Sequence, residues 1–453
     1  MGNYVINPLD NVEIDLESGH KYARCKIKKG ESVIKYGFPI GRAVADIEEG
    51  EHVHTHNLKT SLSPDGDYTY EPKQTSVKKE EPLKISAYVR KDGQIGIRND
   101  IWIIPTVGCV NGIAQAVANK TDALCFTHPY GCSQLGGDLL TTQKTLCALI
   151  KHPNAGGVLV IGLGCENNNI PALKTVLGNY DAERIRFLNV QDCGDEIAEG
   201  VAIVNELKAV AESNRRESVD ISRLIIGLKC GGSDGLSGIT ANPAAGRITD
   251  RIVAMGGACV LTEVPEMFGA EQLLLNRCTS KKIFDKAVEM INGFKAYFVS
   301  HGEPVSENPS PGNRDGGITT LEEKSLGCVQ KGGTAPITDV LDYGDVVTKS
   351  GLSLLNGPGN DIVAVTNLTA AGCHLILFTT GRGTPLGAPV PTVKISTNTA
   401  LAEKKPNWID FDAQSKSDSE LLDHIVETAN GKKTKNELSA FRDIAIFKDG
   451  VTL

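Results

Sequence analysis

Residues 224–255 read LIIGLKCGGSDGLSGITANPAAGRITDRIVAM, and this stretch decides the fold. An apolar run of strand length at 224–228 ends in a glycine-rich polar loop, and a helical pattern follows over 239–255. A strand followed by a loop and a helix is the repeating unit of parallel sheets with helices on both faces. The stretch therefore predicts an α/β domain.

The same alternation extends in both directions from this stretch. Upstream, the predicted strands are 101–107, 123–126, 157–163 and 185–190, and the predicted helices are 112–119, 138–150, 168–177 and 195–212. Downstream, the predicted strands are 258–261, 362–365 and 375–378, and a further helix is predicted at 281–296. A polar break at 212–220 separates the two sets, so we expect one α/β domain over 85–215 and a second over 216–453, both with mainly parallel sheets.

The beginning of the chain has a different pattern of apolar and polar residues. Residues 1–62 alternate apolar and polar side chains over short segments between turn signals, which predicts a small all-β module. Residues 63–84 are polar and contain three prolines, which is typical of a solvated linker. Residues 301–338 are too rich in Gly, Pro and Asn for regular structure, although Thr319 and Thr320 resemble a helix N-cap within them.

Composition excludes several classes of function. The 453 residues hold 47 Lys and Arg against 55 Asp and Glu, a formal charge of -8, which argues against a nucleic acid partner. No secretory signal and no apolar run of membrane-spanning length is present, so we expect no membrane partner and a cytoplasmic location. The 12 cysteines include no C-x-x-C pair, so neither a zinc ribbon nor a thioredoxin motif is predicted.

Histidines concentrate in the N-terminal module. In a strand, His52, His54 and His56 would project from one face, because side chains alternate. Imidazoles that converge on one cation make a site for a first-row metal, and His20 lies in the same module. The alternative is an edge strand whose histidines are simply solvated.

Cysteines recur at the predicted ends of strands. Five of them follow a glycine: Cys109, Cys132, Cys165, Cys328 and Cys373. Cys230 precedes a pair of glycines. The carboxyl ends of parallel strands are where ligands bind in open α/β sheets. An iron–sulfur cluster is an alternative, but the spacing matches no standard cluster motif, and we favour small residues that surround a pocket.

Polar loops and isolated charges suggest the kind of ligand. Loops 231–235, 308–313 and 379–385 are rich in Gly, Thr, Ser and Asn but match neither dinucleotide nor phosphate-loop motifs, which favours a polyhydroxylated or carboxylated ligand. Charged residues interrupt or end apolar runs at Arg98, Glu166, Lys229, Glu263 and Lys394. These residues, with His128, either act as functional groups in a solvent-filled pocket or form ion pairs between strand ends.

Several long motifs resemble the altronate dehydratase and galactarate dehydratase family of sugar-acid dehydratases. They are HVHTHN at 52–57, GIRN at 96–99, GLGCEN at 162–167, KCGGSDGLSGITANPA at 229–244, GGITTLEEKSLGCVQKGG at 316–333 and LFTTGRGTPLGAPVPTVKISTN at 377–398. Together they are spread over most of the chain. The resemblance implies that the N-terminal module is an SAF, or β-clip, domain.

The resemblance also implies a reaction and a cofactor. The expected activity is dehydration of a sugar acid, most directly D-altronate to 2-keto-3-deoxy-D-gluconate. Galactarate dehydration and (2R)-3-sulfolactate sulfo-lyase activity are alternatives within the family, and a sugar-acid-binding protein is the alternative outside catalysis. Iron(II), or manganese(II) in its place, would be the metal, and a homo-oligomer is compatible with the resemblance.

Candidate site residues follow from the motifs. The metal ligands would be His54 and His56, with His20 or His52. The acid and base would come from His128, Lys229 and Glu166, in no particular order. The predicted substrate-binding residues are Arg98, Asn99, Ser233, Asp234, Asn242, Arg382 and Lys394.

Overall fold

A computed structural model describes residues 3–63, 66–73 and 77–453. Residues 64, 65 and 74–76, part of the predicted linker, lie outside the described residues. The described chain forms a small all-β module followed by two sets of strands and helices, each built on a parallel sheet. This arrangement confirms the predicted α/β fold class.

The N-terminal module consists of two three-stranded antiparallel sheets. Their strands are β1 (Asn3–Tyr4), β2 (Val12–Asp15), β3 (Lys21–Ala23), β4 (Ser32–Lys35), β5 (Phe38–Ala43) and β6 (Leu58–Lys59). Alternate residues of β2 and β4 are buried, as the sequence pattern predicts for sheets with one face on a core. The core of the module includes Val12, Val33, Ile40 and Val53.

The segment after the module is packed rather than solvated where it is described. The Tyr68 hydroxyl donates to Glu271 at 3.0 Å, and the backbone N–H of Lys73 donates to the Asn276 carbonyl at 2.8 Å. Further along, the N–H of Glu80 donates to the Ala254 carbonyl at 3.1 Å. The described residues of this segment therefore lie along the C-terminal part of the chain.

The middle of the chain contains a four-stranded parallel sheet of order β10-β9-β11-β12 and a three-stranded antiparallel sheet of order β13-β7-β8. The strands are β7 (Lys84–Val89), β8 (Ile95–Gly96), β9 (Asp100–Pro105), β10 (Leu124–Cys125), β11 (Ala155–Gly162), β12 (Ile185–Asn189) and β13 (Arg216–Asp220). The helices are α1 (Asn111–Asn119), α2 (Gly136–Lys151), α3 (Ile170–Leu177) and α4 (Glu196–Ser213).

The C-terminal part is built on a seven-stranded parallel sheet of order β16-β17-β15-β14-β18-β19-β20. Its strands are β14 (Ile225–Cys230), β15 (Ala258–Leu261), β16 (Ile337–Leu341), β17 (Gly351–Leu355), β18 (Leu375–Thr380), β19 (Thr392–Ser396) and β20 (Phe411–Asp412). The helices are α5 (Ala241–Ala254), α6 (Glu271–Leu275), α7 (Lys281–Ser300), α8 (Pro311–Asp315), α9 (Leu321–Cys328), α10 (Asp361–Ala370), α11 (Thr399–Lys404), α12 (Asp418–Ala429) and α13 (Lys435–Leu438).

One predicted strand is wrong. Residues 362–365 form the first turns of helix α10, because the Asn360 side chain accepts a hydrogen bond from the backbone N–H of Val363 and caps the helix. The predicted N-cap within 301–338 is confirmed at Thr320, whose side chain accepts from the N–H of Glu323 at the start of α9.

The module is docked on α9 through a buried carboxylate. Glu323 accepts from Lys21 and from Lys35, each at 2.8 Å, and all three side chains are at most 1% exposed. Burial disfavours the charged carboxylate, but the two lysines outweigh it and lower the pKa of Glu323 to about 2. Backbones also meet closely here, since a Cβ on Gly235 would lie 1.9 Å from the carbonyl oxygen of Gly19.

We expect Glu323→Gln to destabilise the docked module strongly. The amide keeps the shape of the side chain but leaves two buried lysines without a counter-charge, and removing one partner of a buried ion pair costs about 3–5 kcal/mol. Urea denaturation followed by circular dichroism measures the loss in free energy of unfolding.

The control is Asp285→Asn, which breaks the exposed pair of Lys281 and Asp285 on α7 and should change the unfolding free energy by less than about 0.5 kcal/mol. Because the folded pKa of Glu323 is about 2 against an ordinary value of 4.5, its stabilisation is present above pH 4.5 and lost towards pH 2. Wild type and Glu323→Gln should therefore converge in stability over that range. Equal stability at pH 7 would contradict the assigned role.

Candidate functional site

The carboxyl edge of the seven-stranded sheet gathers most of the polar groups of the C-terminal part. Loop 231–235 follows β14, loop 381–385 follows β18, and Glu263 follows β15. Asp361 lies in the first turn of α10, and its carboxylate is packed against the backbone of Gly231. A Cβ atom added to Gly231 would lie only 2.6 Å from Asp361 Oδ2. Ligands of open α/β sheets bind at this edge, so it is the first place to look for a site.

A buried ionic network lies directly beneath loop 231–235. Lys229 Nζ pairs with the Glu263 carboxylate and, at 2.9 Å, with Asp361 Oδ1. Lys229 and Glu263 are almost fully buried, whereas the Asp361 side chain is 37% exposed. Burial disfavours the ammonium of Lys229, but the charges of Glu263 and Asp361 outweigh it and raise the pKa of Lys229. Asp361 is thus the part of the network that solvent reaches.

Backbone strain marks Glu263 as a constrained residue. Its φ of +71° is left-handed, a conformation that a non-glycine residue rarely adopts. Its Oε2 accepts from the backbone N–H of Cys230 at 3.0 Å and from Lys331 at 3.2 Å. Strain that surrounding contacts hold in place is concentrated at functional sites.

Two thiols and a carboxylate form a candidate metal centre beside this network. The sulfur atoms of Cys230 and Cys328 are 3.4 Å apart, and they lie 3.1 Å and 3.2 Å from Glu266 Oε2. Within the described ranges this is the only group of at least three His, Cys, Asp or Glu ligand atoms that lies within 4.8 Å. The three residues are buried, and Lys331 Nζ lies 2.8 Å from the Cys230 sulfur.

The four histidines of the module form a second cluster. His52 is at its centre, with ring centroids 5.0 Å from His20, 5.4 Å from His54 and 5.8 Å from His56. The Nδ1 of His20 lies 3.0 Å from the Nε2 of His52. His56 is exposed, and the other three rings are partly buried.

The histidines at 52, 54 and 56 do not lie on the one strand that the sequence pattern predicted, but on a bridge followed by a turn. His52 forms an isolated bridge with Tyr22, and the chain then turns over 54–57. The Asn57 side chain accepts from the backbone N–H of His54 at 2.9 Å and holds the turn.

The body of the protein orients one of the imidazoles. His54 Nε2 lies 3.0 Å from the carbonyl oxygen of Arg314, a residue of α8. When Nε2 of the neutral ring donates to this carbonyl, Nδ1 carries no proton and can accept a hydrogen bond or bind a metal. Burial, followed by the charges of the neighbouring rings, lowers the pKa of His52 to about 4. Burial also lowers the pKa of His54. Both rings are therefore neutral at pH 7, the state in which an imidazole binds metal.

The predicted substrate-binding residues of the C-terminal part differ in accessibility. Asp234, Asn242 and Lys394 are buried and hydrogen-bonded within the protein. Ser233 is 1% exposed, and its hydroxyl has no partner among residues 3–63, 66–73 and 77–453. Arg382 is exposed on the loop after β18, and no hydrogen bond or ion pair of its guanidinium is found within those ranges. Arg382 is therefore the member of the set that can meet a ligand directly.

Buried Lys394 supports this loop from behind. Its Nζ donates to the carbonyl of Thr384 at 2.8 Å and to that of Leu386. Burial lowers its pKa to about 8.

Arg98 and Asn99 lie elsewhere and have structural partners. The Arg98 guanidinium forms an ion pair with Glu437 and uses its other donors on the carbonyls of Ile97, Thr428 and Lys432. Asn99 accepts from Arg90 and donates to the Ala211 carbonyl. The Arg98 contacts join the middle of the chain to its C-terminal helices, and the Asn99 contacts stay within the middle.

His128 and Glu166 lie at the carboxyl edge of the four-stranded sheet, not beside Lys229. His128 Nε2 is 2.8 Å from the Pro105 carbonyl, and Nδ1 accepts from the N–H of Tyr130. Glu166 accepts from the Thr106 hydroxyl and from the backbone N–H groups of Leu163 and Gly164. The three predicted acid–base candidates are thus divided between two sheets.

The sequence analysis did not identify several charged residues of the buried ion-pair groups. Lys35 and Glu266 gave no signal alone, because each is a charged residue whose partner is distant in sequence. Glu323 and Lys331 had a signal, since both lie in the motif GGITTLEEKSLGCVQKGG.

Three family models together match most of the chain. The altronate/galactarate dehydratase SAF domain matches residues 5–61, the D-galactarate dehydratase/altronate hydrolase second domain matches 87–212, and the D-galactarate/altronate dehydratase C-terminal domain matches 221–452. The chain belongs to the altronate and galactarate dehydratase family. The resemblance inferred from its motifs is confirmed.

Relatives of known function match nearly the whole chain. The altronate dehydratase of Escherichia coli (strain K12) is 53% identical, over 97% of this chain and 93% of its own. The altronate dehydratase of Bacillus subtilis (strain 168) is 50% identical, over 98% and 93%. The galactarate dehydratase (L-threo-forming) of Escherichia coli (strain K12) is 31% identical, over 92% and 87%. The prediction of a hydro-lyase is confirmed.

Among the described residues, none of the helices has the length and apolar character needed to span a bilayer.

Burial divides the thiols into two groups, which predicts their reactivity. Cys25, Cys109, Cys132 and Cys165 are exposed, whereas burial raises the pKa of Cys147, Cys259 and Cys278 to about 12. Because the thiolate is the reactive form, a thiol reagent should label the four exposed cysteines of the native protein first. Peptide mass spectrometry after brief labelling measures the sites. Early labelling of Cys230 or Cys328 would contradict the burial of the Cys230–Glu266–Cys328 group.

Proposed function

We propose that this protein removes water from D-altronate to form 2-keto-3-deoxy-D-gluconate. In this reaction a base takes the proton from C2, next to the carboxylate, and the hydroxyl group of C3 takes up a proton and leaves as water. The resulting enol then tautomerises to the 2-keto acid. The elimination transfers no electrons, so it needs no oxidant or reductant.

The observation that carries this proposal is the near-full-length identity to two altronate dehydratases. Identity is 53% and 50% to these relatives but 31% to the galactarate dehydratase. Altronate is therefore the first substrate to test, and galactarate and (2R)-3-sulfolactate are the alternatives.

The histidine cluster fits a divalent first-row metal. Two nitrogen ligands about 2.1 Å from one ion and at right angles lie about 3.0 Å apart. The observed 3.0 Å between His20 Nδ1 and His52 Nε2 agrees with that spacing. His20 and His52 would hold iron(II), or manganese(II) in its place. His54 and His56 would join them only after their rings move, because no three of the four imidazoles have ligand atoms within 4.8 Å of one another among the described residues. When bound, such an ion supplies Lewis-acid stabilisation of the charge that develops on the substrate carboxylate.

Close backbone contacts support a site between the module and the body. Gly19, beside His20, lies against Gly235 of loop 231–235, and a Cβ on Gly317 would lie 2.6 Å from the Gly19 carbonyl. The histidine cluster is therefore next to the carboxyl-edge loops. We propose that the substrate binds between the cluster and these loops.

Arg382 would bind the anionic end of the substrate. The loop that carries it is fixed, because the backbone N–H of Arg382 donates to the Gly232 carbonyl at 2.9 Å and Lys394 supports the next residues. A guanidinium can hold a carboxylate with two hydrogen bonds. The Ser233 hydroxyl, in the same loop cluster, remains a proposed contact for a substrate hydroxyl.

Asp361 is the group proposed to exchange a proton with the substrate, and Lys229 is its buried partner. Asp361 is reached by solvent, and Lys229 holds its carboxylate from the buried side at 2.9 Å. A positioned acid or base contributes about 10² to 10⁴ in rate. His128 and Glu166 lie at the other sheet, where their hydrogen bonds are to neighbouring loops.

The double substitution His54→Ala with His56→Ala should abolish turnover while the protein stays folded. Removing two imidazoles weakens the hold on the metal, and neither ring is part of the buried core, so the fold should be retained. The measurement is formation of the 2-keto acid from altronate, galactarate or sulfolactate under anaerobic conditions with iron(II), alongside metal content.

The matched control is His301→Ala, which removes an exposed histidine that contacts Asp449 outside the module. This variant should keep wild-type activity. Wild-type turnover by the double variant would refute the metal assignment. Tight binding of altronate by the wild type with no product from any substrate would favour a sugar-acid-binding protein.

Arg382→Met should raise KM for altronate with a smaller effect on kcat. The loss of hydrogen bonds between two charged groups costs about 1.5–3 kcal/mol, which corresponds to about 10-fold to 150-fold in KM. Steady-state kinetics with altronate measure the change. Arg215→Met removes an exposed arginine that contacts only nearby carbonyls and should leave KM unchanged. An unchanged KM in Arg382→Met would exclude the carboxylate contact.

A further inference from the structure

The four-stranded sheet of the middle unit has an edge that the proposed dehydration site does not use. Cys109 follows β9, Cys132 follows β10 and Cys165 follows β11, in each case directly after a glycine. Of the five cysteines preceded by glycine, these three are exposed, and Cys328 and Cys373 are buried. β10, β9 and β11 are neighbours in a parallel sheet, so all three thiols lie at one carboxyl edge.

Hydrogen bonds tie the three loops to one another. The N–H of Gly108 donates to the Tyr130 carbonyl at 2.9 Å, which joins the Cys109 loop to the Cys132 loop. The N–H of Asn168 donates to the Gly131 carbonyl at 3.0 Å, and the N–H of Ser133 donates to Asn167 Oδ1 at 2.8 Å. These two bonds join the Cys132 loop to the Cys165 loop.

The loops also approach too closely for larger residues. A Cβ on Gly131, whose φ is +100°, would lie 2.0 Å from the Thr106 carbonyl oxygen. Any other residue at this position would push the Cys132 loop away from the Cys109 loop. Gly131 thus keeps Cys132 between the other two cysteine loops.

Two other cysteines near this edge, Cys125 and Cys193, are not exposed on the cysteine loops. Cys193 Sγ donates to the Asn189 carbonyl at 3.2 Å. Burial, followed by Glu199, raises the pKa of Cys193 to about 11, and burial raises that of Cys125 to about 12. Cys193 is held by its hydrogen bond and Cys125 lies within β10, which leaves three exposed cysteines at the edge.

Buried polar atoms near the three thiols have no partner. Gln134 Nε2, two residues from Cys132, and Asn168 Oδ1, three residues from Cys165, have no hydrogen bond within the part of the chain that the structure describes. Gln134 is 3% exposed and Asn168 is 0% exposed. Unpartnered buried polar groups cost free energy, and a bound group that accepts a hydrogen bond would remove that cost for the Gln134 Nε2 donor.

We propose that Cys109, Cys132 and Cys165 bind a [4Fe–4S] cluster at this edge. A single ion would need all three sulfur atoms within about 4 Å of one another, because metal–sulfur bonds are about 2.3 Å long. These thiols do not form such a close set among residues 3–63, 66–73 and 77–453. A four-iron cluster is larger, and cysteine thiolates are its usual ligands.

Three protein thiolates leave one iron of such a cluster without a protein ligand. That iron can accept an oxygen ligand from water or from a hydroxy acid, at a place separate from the proposed dehydration site. Binding requires only that the three thiols release their protons as the cluster is transferred. The exposure of the edge gives a donor of iron and sulfide access to all three.

The test is anaerobic reconstitution of the full chain with ferrous iron, sulfide and a thiol reductant. We expect about four iron and four acid-labile sulfide per wild-type chain, the visible absorption of an iron–sulfur cluster, and a paramagnetic signal on reduction. Cys109→Ser, Cys132→Ser and Cys165→Ser should each lose most of the labile sulfide and the absorption. Circular dichroism should show unchanged folding, because the thiols are exposed.

The matched control is Cys25→Ser, which removes the exposed thiol of the N-terminal module and should leave the cluster intact. Cluster formation in all three edge variants, or iron bound without labile sulfide, would overturn the proposal. Loss of the cluster only in Cys230→Ser or Cys328→Ser would assign it to the buried group instead. His54→Ala with His56→Ala should keep the cluster, so failure of the dehydratase proposal and failure of this one are distinguishable.

Discussion

A buried carboxylate that pairs with two lysines joins the small module to the rest of the protein. Burying three ionisable side chains is costly, and the cost is offset only when Glu323 of α9 lies between Lys21 and Lys35. One carboxylate cannot fully compensate two ammonium groups, and burial lowers the pKa of Lys21 to about 8. The arrangement admits one position of the module, because displacement would leave the charges unpaired. The location of the histidines depends on this constraint.

The chemistry-bearing residues are located at the carboxyl ends of two parallel sheets. At the seven-stranded sheet, Lys229, Lys324 and Lys331 pair with Glu263, Glu266 and Asp361, so the charges of these six side chains cancel. At the four-stranded sheet, glycine-flanked cysteines take the same positions relative to their strands. The two edges differ in ligand chemistry, because the thiols at the seven-stranded sheet are buried among carboxylates and lysines and those at the four-stranded sheet are exposed.

The parallel strands of high apolar content were predictable, because β9, β11, β14 and β15 are runs of buried residues bounded by glycine or polar turns. Strands β16, β17, β19 and β20 were not predicted. Residues 362–365 were assigned to a strand because a short apolar run does not distinguish a strand from a buried helix. The cap at Asn360 was the signal that decides it.

The candidate site was predictable at the level of motifs but not of contacts. Clustering of His20 with His52 needed the bridge between Tyr22 and His52, a pairing of distant segments that does not follow from alternation. Arg98 was predicted to bind substrate, yet its partner Glu437 is 339 residues away. A sequence shows that a charge lies in apolar surroundings, but pairing across such distances depends on the complete tertiary structure.

The apolar contacts between the two parallel sheets determine how the molecule unfolds. Trp102, Val158 and Val160 of the four-stranded sheet share one continuous core with Ile376 and Phe378 of the seven-stranded sheet. Strands of both sheets therefore lose burial together when either is disrupted, and the two α/β units should melt as one cooperative block. The module belongs to this block as well, because Val33 and Ile40 share a continuous core with Leu228 and Leu261 of the seven-stranded sheet. The histidines should therefore stay in place until the whole molecule unfolds.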